Sequence, residues 1–393
     1  MGPLSKPASF TGDSVSLRRA SSYDGASYDG STTGSFYTPK GSMHSRISSR
    51  GDTPRSESLL EMEDVVEEAT ATGPSLEMNR RARFGYLAQY LAVGLIYGGL
   101  PATTYGLLVG YLNVPSFVYA TCSTILTLPW SFKFLFGAIN DCLPIFGYRR
   151  KPYMAMGWAF CAAMLIILWL TPLPEPYYCK DEHNHAYLTD EEPCNPEAAQ
   201  QGGKYCLLMM LAALGYVVAD VAADGLTVQY ARSEPEDRRG HTQTTAYMTR
   251  TFGQISSYCL VGLGMNSWLY LGTFHGGLSF NQICLIFAIP SAAMAPISWL
   301  CIEEPPIKER TTPSAYAAAT WQMLRSRAFF CVLLFQFLNP AIQYVQSTGT
   351  VYVQRYWAEV QALQSQLFNI VSYAIFSGGI YLVRERARPL ATP

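Results

Sequence analysis

Charge is what this sequence has least of. Asp, Glu, Lys and Arg make up 15% of its 393 residues, where a soluble globular protein carries roughly 25%, and that deficit excludes a water-soluble surface. Hydrophobic residues reach 49%, and the mean hydropathy of +0.08 is held down by a polar N-terminal tail that dilutes a far more apolar remainder. Near Met1 no charged region leads into a short apolar core and cleavage site, so a cleaved signal peptide is not expected and the first membrane helix must target the chain. A nucleophile with a partnered base, a metal cluster and a phosphate-binding loop are missing as well. The chain is therefore not expected to be an enzyme, and neither a cofactor nor a nucleic-acid partner is expected.

Ten cysteines are present, but metal-ligand spacing is absent. Cys122, Cys161, Cys206, Cys259, Cys284, Cys301 and Cys331 lie in or beside apolar runs and read as small apolar packing residues. Only Cys179 and Cys194 share a polar loop.

Residues 1–82 are rich in Ser, Gly, Thr and Arg, repeat Ser-Tyr-Asp-Gly at Ser22 and Ser27, and cannot bury a core. This tail is expected to be disordered and cytosolic. Arg18-Arg19-Ala20-Ser21 resembles a basophilic kinase site and Arg50-Gly51-Asp52 an integrin ligand; chance matches in a solvated tail are the competing reading of both. An acidic stretch from Glu57 to Ala69 is expected to form one short amphipathic helix.

From Phe84 onward, apolar segments recur that match the twenty or so helical residues needed to cross a bilayer. Eight are expected, over about 85–110, 115–140, 152–172, 205–230, 242–264, 281–302, 328–350 and 364–383. Gly98, Gly99 and Pro101 interrupt the first, Pro129 the second, and Pro290 with Pro296 the sixth, which helix bundles tolerate. The fold class is thus an all-α membrane bundle. Basic residues fall on one side of it: Arg80, Arg81 and Arg83; Arg149, Arg150 and Lys151; Arg232, Arg238 and Arg239; Lys308, Arg310, Arg325 and Arg327; Arg384, Arg386 and Arg388. The other side holds only Lys180, Lys204 and Arg355. Positive residues accumulate in the cytosol, so the N-terminus is placed inside and the Leu173–Lys204 loop outside, in the plasma membrane or an endomembrane. An oxidising compartment would let Cys179 pair with Cys194, and that disulfide is expected. His183 and His185 beside Asp181 and Glu182 read as solvated loop residues, not as a metal site.

Between the second and third segments the chain reads Gly137-Ala-Ile-Asn-Asp141, then Gly147-Tyr148-Arg149-Arg150-Lys151. A carboxylate at a helix end facing a basic turn is a charge-paired latch, with a purely topological role for the basic residues as the alternative. The pattern resembles the Gly-x-x-x-Asp…Gly-x-Arg-Arg/Lys signature of the major facilitator superfamily, lengthened between Asp141 and Gly147. Together with Pro129-Trp130-Ser131-Phe132-Lys133, Pro144, Phe146, Tyr153 and Ala219-Asp220-Val221-Ala222-Ala223-Asp224-Gly225, it resembles the folate-biopterin transporter family over most of residues 84–385. Phe134 departs from the Pro that many members carry after the lysine. The resemblance implies a twelve-helix protein of two six-helix halves. The expected organisation is therefore a six-helix bundle over 83–302, a cytosolic linker over 303–327 and a partial second bundle with two helices over 328–393, the second half being truncated.

Ionisable groups inside membrane helices are costly and are functional candidates by default. Counted from the cytosolic helix ends at about 1.5 Å per residue, Lys133, Asp220 and Arg250 lie at about 12, 15 and 13 Å. Asp224 follows Asp220 on the same face, one turn nearer the cytosol. Facilitator substrate sites lie near this depth, and a carboxylate can accept paired hydrogen bonds from a pterin ring while cations meet an acidic tail. Tyr97, Tyr105, Trp130, Tyr216 and Tyr247 are candidates for stacking on that ring, and also ordinary interface anchors. Two functions stay open: a secondary transporter of folates or pterins, with Asp224 as the candidate proton carrier, and a transport-inactive scaffold or regulatory half. For the charges, a structural ion pair such as Asp220 with Arg250 stays open beside a substrate site.

Overall fold

In lipid a chain can satisfy its own backbone groups only by forming helices or a closed barrel, and each long apolar run here forms a helix. The computed structural model describes residues 79–387 except 181–186, 189–191, 233, 235–239, 308–311 and 344–346. Outside the described residues lie residues 1–78 with the kinase-site and Arg-Gly-Asp matches, the 57–69 stretch, His183 and His185 with their acidic neighbours, and Arg238, Arg239, Lys308, Arg310 and Arg388.

Helix α1 (Arg80–Thr104) runs on into a π-helical turn, Tyr105–Tyr111. It is followed by α2 (Ser116–Ser131), α3 (Lys133–Cys142), α4 (Lys151–Leu170), α5 (Gly202–Arg232), α6 (His241–Gly264), α7 (Phe280–Cys301), α8 (Pro313–Arg325), α9 (Arg327–Gln343) and α10 (Ala362–Ala387). Among the described residues, five spans are long and apolar enough to cross a membrane: Arg80–Tyr111, Ser116–Cys142, Lys151–Leu170, Pro196–Ala231 and Phe280–Cys301. The chain is an all-α, multi-pass integral membrane protein.

The three other expected spans form helices that fall short of that measure. Helix α6 has 24 residues, but its first half carries His241, five threonines, Gln243 and Arg250. Helix α9 stops at Gln343 after 17 residues, and α10 is long but ends on charged residues. Helix α1 passes through Gly98, Gly99 and Pro101 without a break. Its ladder widens to π spacing only a turn later, where the backbone adjusts to the missing proline N–H.

Helix α1 lies at the centre, against α5, α6 and α7, while α4 packs on α5 and α7, α2 on α5, and α10 along α6. Glycine sets these approaches. A Cβ at Gly253 of α6 would stand 2.5 Å from the Leu91 carbonyl oxygen of α1, and one at Gly157 of α4 2.6 Å from that of Gly215 in α5. Small residues of this kind let membrane helices meet backbone to backbone, where dispersion replaces the hydrophobic drive.

At the other end of the bundle, the 173–204 loop contains a two-residue antiparallel pair, β1 (Cys179–Lys180) with β2 (Tyr187–Leu188). Cys179 and Cys194 are disulfide-bonded, with Cα atoms 5.1 Å apart. Cys122 and Cys206 are bonded too, across a Cα separation of 5.6 Å, so packing alone does not describe them. They sit two to one turns inside the starts of α2 and α5, which bring them to one level of a direct helix contact.

Candidate functional site

Helix α2 ends because Pro129 distorts its last turn: the Phe132 N–H reaches the Pro129 carbonyl at 3.2 Å, and Phe132 leaves helical geometry. The helix restarts as α3 with Lys133 at its first position. A cation there opposes the positive end of the helix dipole, so it needs acidic partners. Asp220 and Asp224, one turn apart on α5, supply them.

The Lys133 ammonium lies 2.5 Å from Asp220 Oδ2 and 2.8 Å from Asp224 Oδ2. Two carboxylates spaced i, i+4 repel each other; sharing one ammonium offsets that. The three side chains differ in exposure, 0% for Asp220, 26% for Lys133 and 38% for Asp224, so the cluster has a dry end and a wet end. Asp220 Oδ1 is buried without a hydrogen-bond partner.

Aromatic rings frame the charges. The Lys133 ammonium stands 4.2 Å from the centre of the Trp130 ring, and the Arg250 guanidinium lies 5.0 Å from the same ring and 4.9 Å from Tyr97. Trp130 Nε1 donates to the Tyr216 hydroxyl at 2.9 Å. The structure thus gathers Lys133, Asp220, Asp224, Arg250, Tyr97, Trp130 and Tyr216. The direct partner of Asp220 is Lys133, not the Arg250 that depth alone suggests, and Arg250 is seated on rings. Tyr105 lies elsewhere, donating to the Val360 carbonyl at 2.6 Å, and Tyr247 is an exposed residue of α6.

Three α1 and α5 hydroxyls adjoin the wet end and were not legible as part of the site. Tyr90 donates to Asp224 Oδ1 at 2.9 Å and lies 2.6 Å from Thr227 Oγ1, which in turn lies 2.8 Å from the Tyr86 hydroxyl. The i, i+4 spacing of Tyr86 and Tyr90 puts both on one helix face, but it reads equally as packing.

The residues of the expected latch lie at the Arg80 end of the bundle. Arg150 Nη2 meets Asp141 Oδ1 at 3.1 Å, and Gly147 takes φ +81° in the turn between them, which an L side chain would strain. Gly137 of α3 faces α5 without a tight approach: a Cβ there would meet Val221 at an ordinary 3.8 Å. Arg149 enters through its backbone. Its N–H, with those of Arg150 and Lys151, donates to the Glu304 carboxylate at 2.9 to 3.1 Å. Glu304 therefore caps the start of α4 from beyond α7, where a carboxylate complements both orphan N–H groups and the helix dipole. Its sequence setting, Glu303-Glu304-Pro305-Pro306, reads only as a helix stop. Arg150 also lies against Gly225 of α5, so that a Cβ there would collide with the guanidinium.

Residues 89–175 match the model of the BT1 family. Similar curated proteins are a probable folate-biopterin transporter 4 of Arabidopsis thaliana, 22% identical over 187 residues, and a folate-biopterin transporter of Synechocystis, 23% identical over 221 residues. These alignments take in 47% and 56% of this chain but 30% and 37% of the relatives. Folate transporter 1 of Plasmodium falciparum is 39% identical over 62 residues, 16% of this chain and 10% of that protein. The chain thus spans about a third or less of the curated relatives it matches. The matched segment contains Lys133 and the whole Gly137–Arg150 latch and stops before Asp220, Asp224 and Arg250. Over residues 89–175 the chain is therefore similar to the BT1 family.

Proposed function

We propose that the chain is a secondary transporter of folates or related pterins, built on a major-facilitator bundle and coupled to protons through Asp224. The observation that carries this reading is the charge cluster of Lys133, Asp220 and Asp224 inside helices that face lipid, framed by Trp130, Tyr97 and Arg250. Buried charge is too costly to retain without use. Carboxylates suit the donor edge of a pterin, rings suit its face, and the two cations suit an acidic tail. Residues 83–302 form the first bundle on this reading, 303–327 the cytosolic linker and 328–393 part of a second bundle. Asp141, Arg150 and Gly147 hold one of two conformers of the α3–α4 corner.

Uptake of labelled folate and biopterin by cells lacking their own carriers tests the function. Saturable, pH-dependent uptake is expected; a well-expressed chain that carries neither compound would leave the scaffold reading in its place.

Orientation and the external disulfide share one experiment. On intact cells an impermeant alkylating reagent should leave Cys179 and Cys194 unlabelled until an impermeant reductant is added. Labelling without reductant would show free thiols, and labelling only after permeabilisation would place the loop in the cytosol.

A further inference from the structure

The turn between α3 and α4 holds a phenylalanine where the backbone favours asparagine. Ile145 and Tyr148 bond each other's backbones at 3.0 Å, and Phe146 and Gly147 between them take φ +53° and +81°. That is the φ pair of a type I′ hairpin turn, for which Asn-Gly is a favoured sequence. A bulky residue enters the left-handed region only at a cost. Phe146 nevertheless sits there, 82% exposed, and among the described residues its one ring contact is Trp299, edge-on at 6.3 Å.

Rings and donors converge beside it. Trp299, in the last turn of α7, also meets Tyr148 edge-on at 6.3 Å, and the Lys151 ammonium stands 5.3 Å from the centre of the Tyr148 ring and 5.8 Å from that of Trp299. Among the described residues, the Lys151 ammonium, the Tyr148 hydroxyl and the Trp299 indole N–H have no hydrogen-bond or ion-pair partner. The neighbouring carboxylates are engaged, Asp141 with Arg150 and Glu304 with the N–H groups that open α4. Exposed Arg80, Arg81 and Arg83 begin α1, whose Gly85 packs on Cys301 at the end of α7; exposed Glu303 subtracts one charge. The same level is a membrane border, because the span Lys151–Leu170 starts here and the span Phe280–Cys301 ends here.

We propose that Lys151, Tyr148 and Trp299 bind the phosphate of an anionic phospholipid, with Phe146 inserted beside its acyl chains. An ammonium, a hydroxyl and an indole N–H all donate, and phosphate oxygens accept. Rings can also hold a choline cation, but the Lys151 ammonium already stands over two of them and repels a second cation, which selects headgroups of net negative charge. On the proposed orientation the site meets the cytosolic leaflet, where anionic lipids reside. Lipid supplies the apolar contact that Phe146 lacks within the protein, so the turn keeps a residue that suits the membrane better than it suits the backbone. The site does not depend on what the chain carries.

The full chain purified in detergent tests it, by melting and by native mass spectrometry with added lipid. Phosphatidylserine should raise the melting temperature and stay bound about tenfold more tightly than phosphatidylcholine, the worth of one charge-assisted hydrogen bond. Inorganic phosphate at equal concentration should leave melting unchanged. Lys151→Gln keeps the backbone N–H that donates to Glu304, so the start of α4 survives; it should remove most of the lipid preference, and Lys151→Arg should restore it. Phe146→Asn separates membrane contact from folding. It should raise the melting temperature without lipid, because asparagine suits the turn, and shrink the gain that lipid brings. Equal retention of the two lipids, equal stabilisation by inorganic phosphate, an unchanged preference in Lys151→Gln, or a lower lipid-free melting temperature in Phe146→Asn would each overturn the site.

Discussion

Lys133→Ala is expected to cut the amount of protein in the membrane severalfold, and adding Asp220→Asn to it should bring most of that amount back. The single change leaves Asp220, fully enclosed, with no ammonium and with Asp224 one turn away. Breaking a buried pair by removing one partner costs about 3 to 5 kcal/mol, and even 1 to 2 kcal/mol changes cellular abundance several-fold. The double variant removes both charges of the dry end and leaves Asp224 at the wet end with its bond from Tyr90. Arg250→Ala should behave differently. Its guanidinium rests on Tyr97 and Trp130, among the described residues no carboxylate forms an ion pair with it, and abundance should hold while binding of substrates with an acidic tail weakens more than binding of tail-less pterins. Western blots of membranes with uptake of both substrate types measure the two effects. Normal folate uptake by well-expressed Lys133→Ala and Asp220→Asn variants would remove these residues from the site.

That experiment pairs Lys133 with Asp220, a choice the sequence does not make. Depth along a helix follows from counting residues, so the common level of Lys133, Asp220 and Arg250 is legible. Which faces which is not, because the rotation of each helix about its axis is set by packing: Gly253 against α1 fixes α6, and Gly157 against Gly215 fixes α5 relative to α4. The helices themselves are legible for a simple reason, since lipid demands long apolar runs. Where a run mixes threonine, glutamine and arginine, as in α6, helix formation survives but the apolar signal fades. The Cys122–Cys206 bond illustrates the same limit. Each cysteine looks like a packing residue until α2 and α5 are known to touch at that level. Glu304 is hidden for another reason: its partners are backbone N–H groups of α4, which carry no sequence identity at all.

Gly225→Val is expected to loosen the corner between α3 and α4 as much as deleting a latch residue would, although it removes no charge. Where a Cβ would stand at position 225, Arg150 Nη2 is only 2.9 Å away, and Nη1 and Cζ are nearer still. The colliding group is the far end of a flexible side chain, so the helices need not part; Arg150 must swing out and lose Asp141 at 3.1 Å. Overpacking of this kind costs about 1 to 3 kcal/mol. Loss of a partly enclosed ion pair adds to it, more than the about 0 to 1 kcal/mol of an exposed one, because the Arg150 side chain is 12% exposed. The change is read by the melting temperature of the purified protein in detergent and by alkylation of Cys142, a free thiol next to Asp141 at the end of α3. Melting should fall and Cys142 should react faster. Glu304→Ala should do the same through the backbone, since it strands three N–H groups at the start of α4, and losing a helix cap alone costs about 1 kcal/mol. Combining Gly225→Val with Arg150→Ala separates the causes. Without the guanidinium the valine has room, so the double variant should melt no lower than Arg150→Ala alone. If it melts lower by the full cost of Gly225→Val, the glycine is serving helix packing and not the seat of Arg150, and the link from α5 to the latch is wrong.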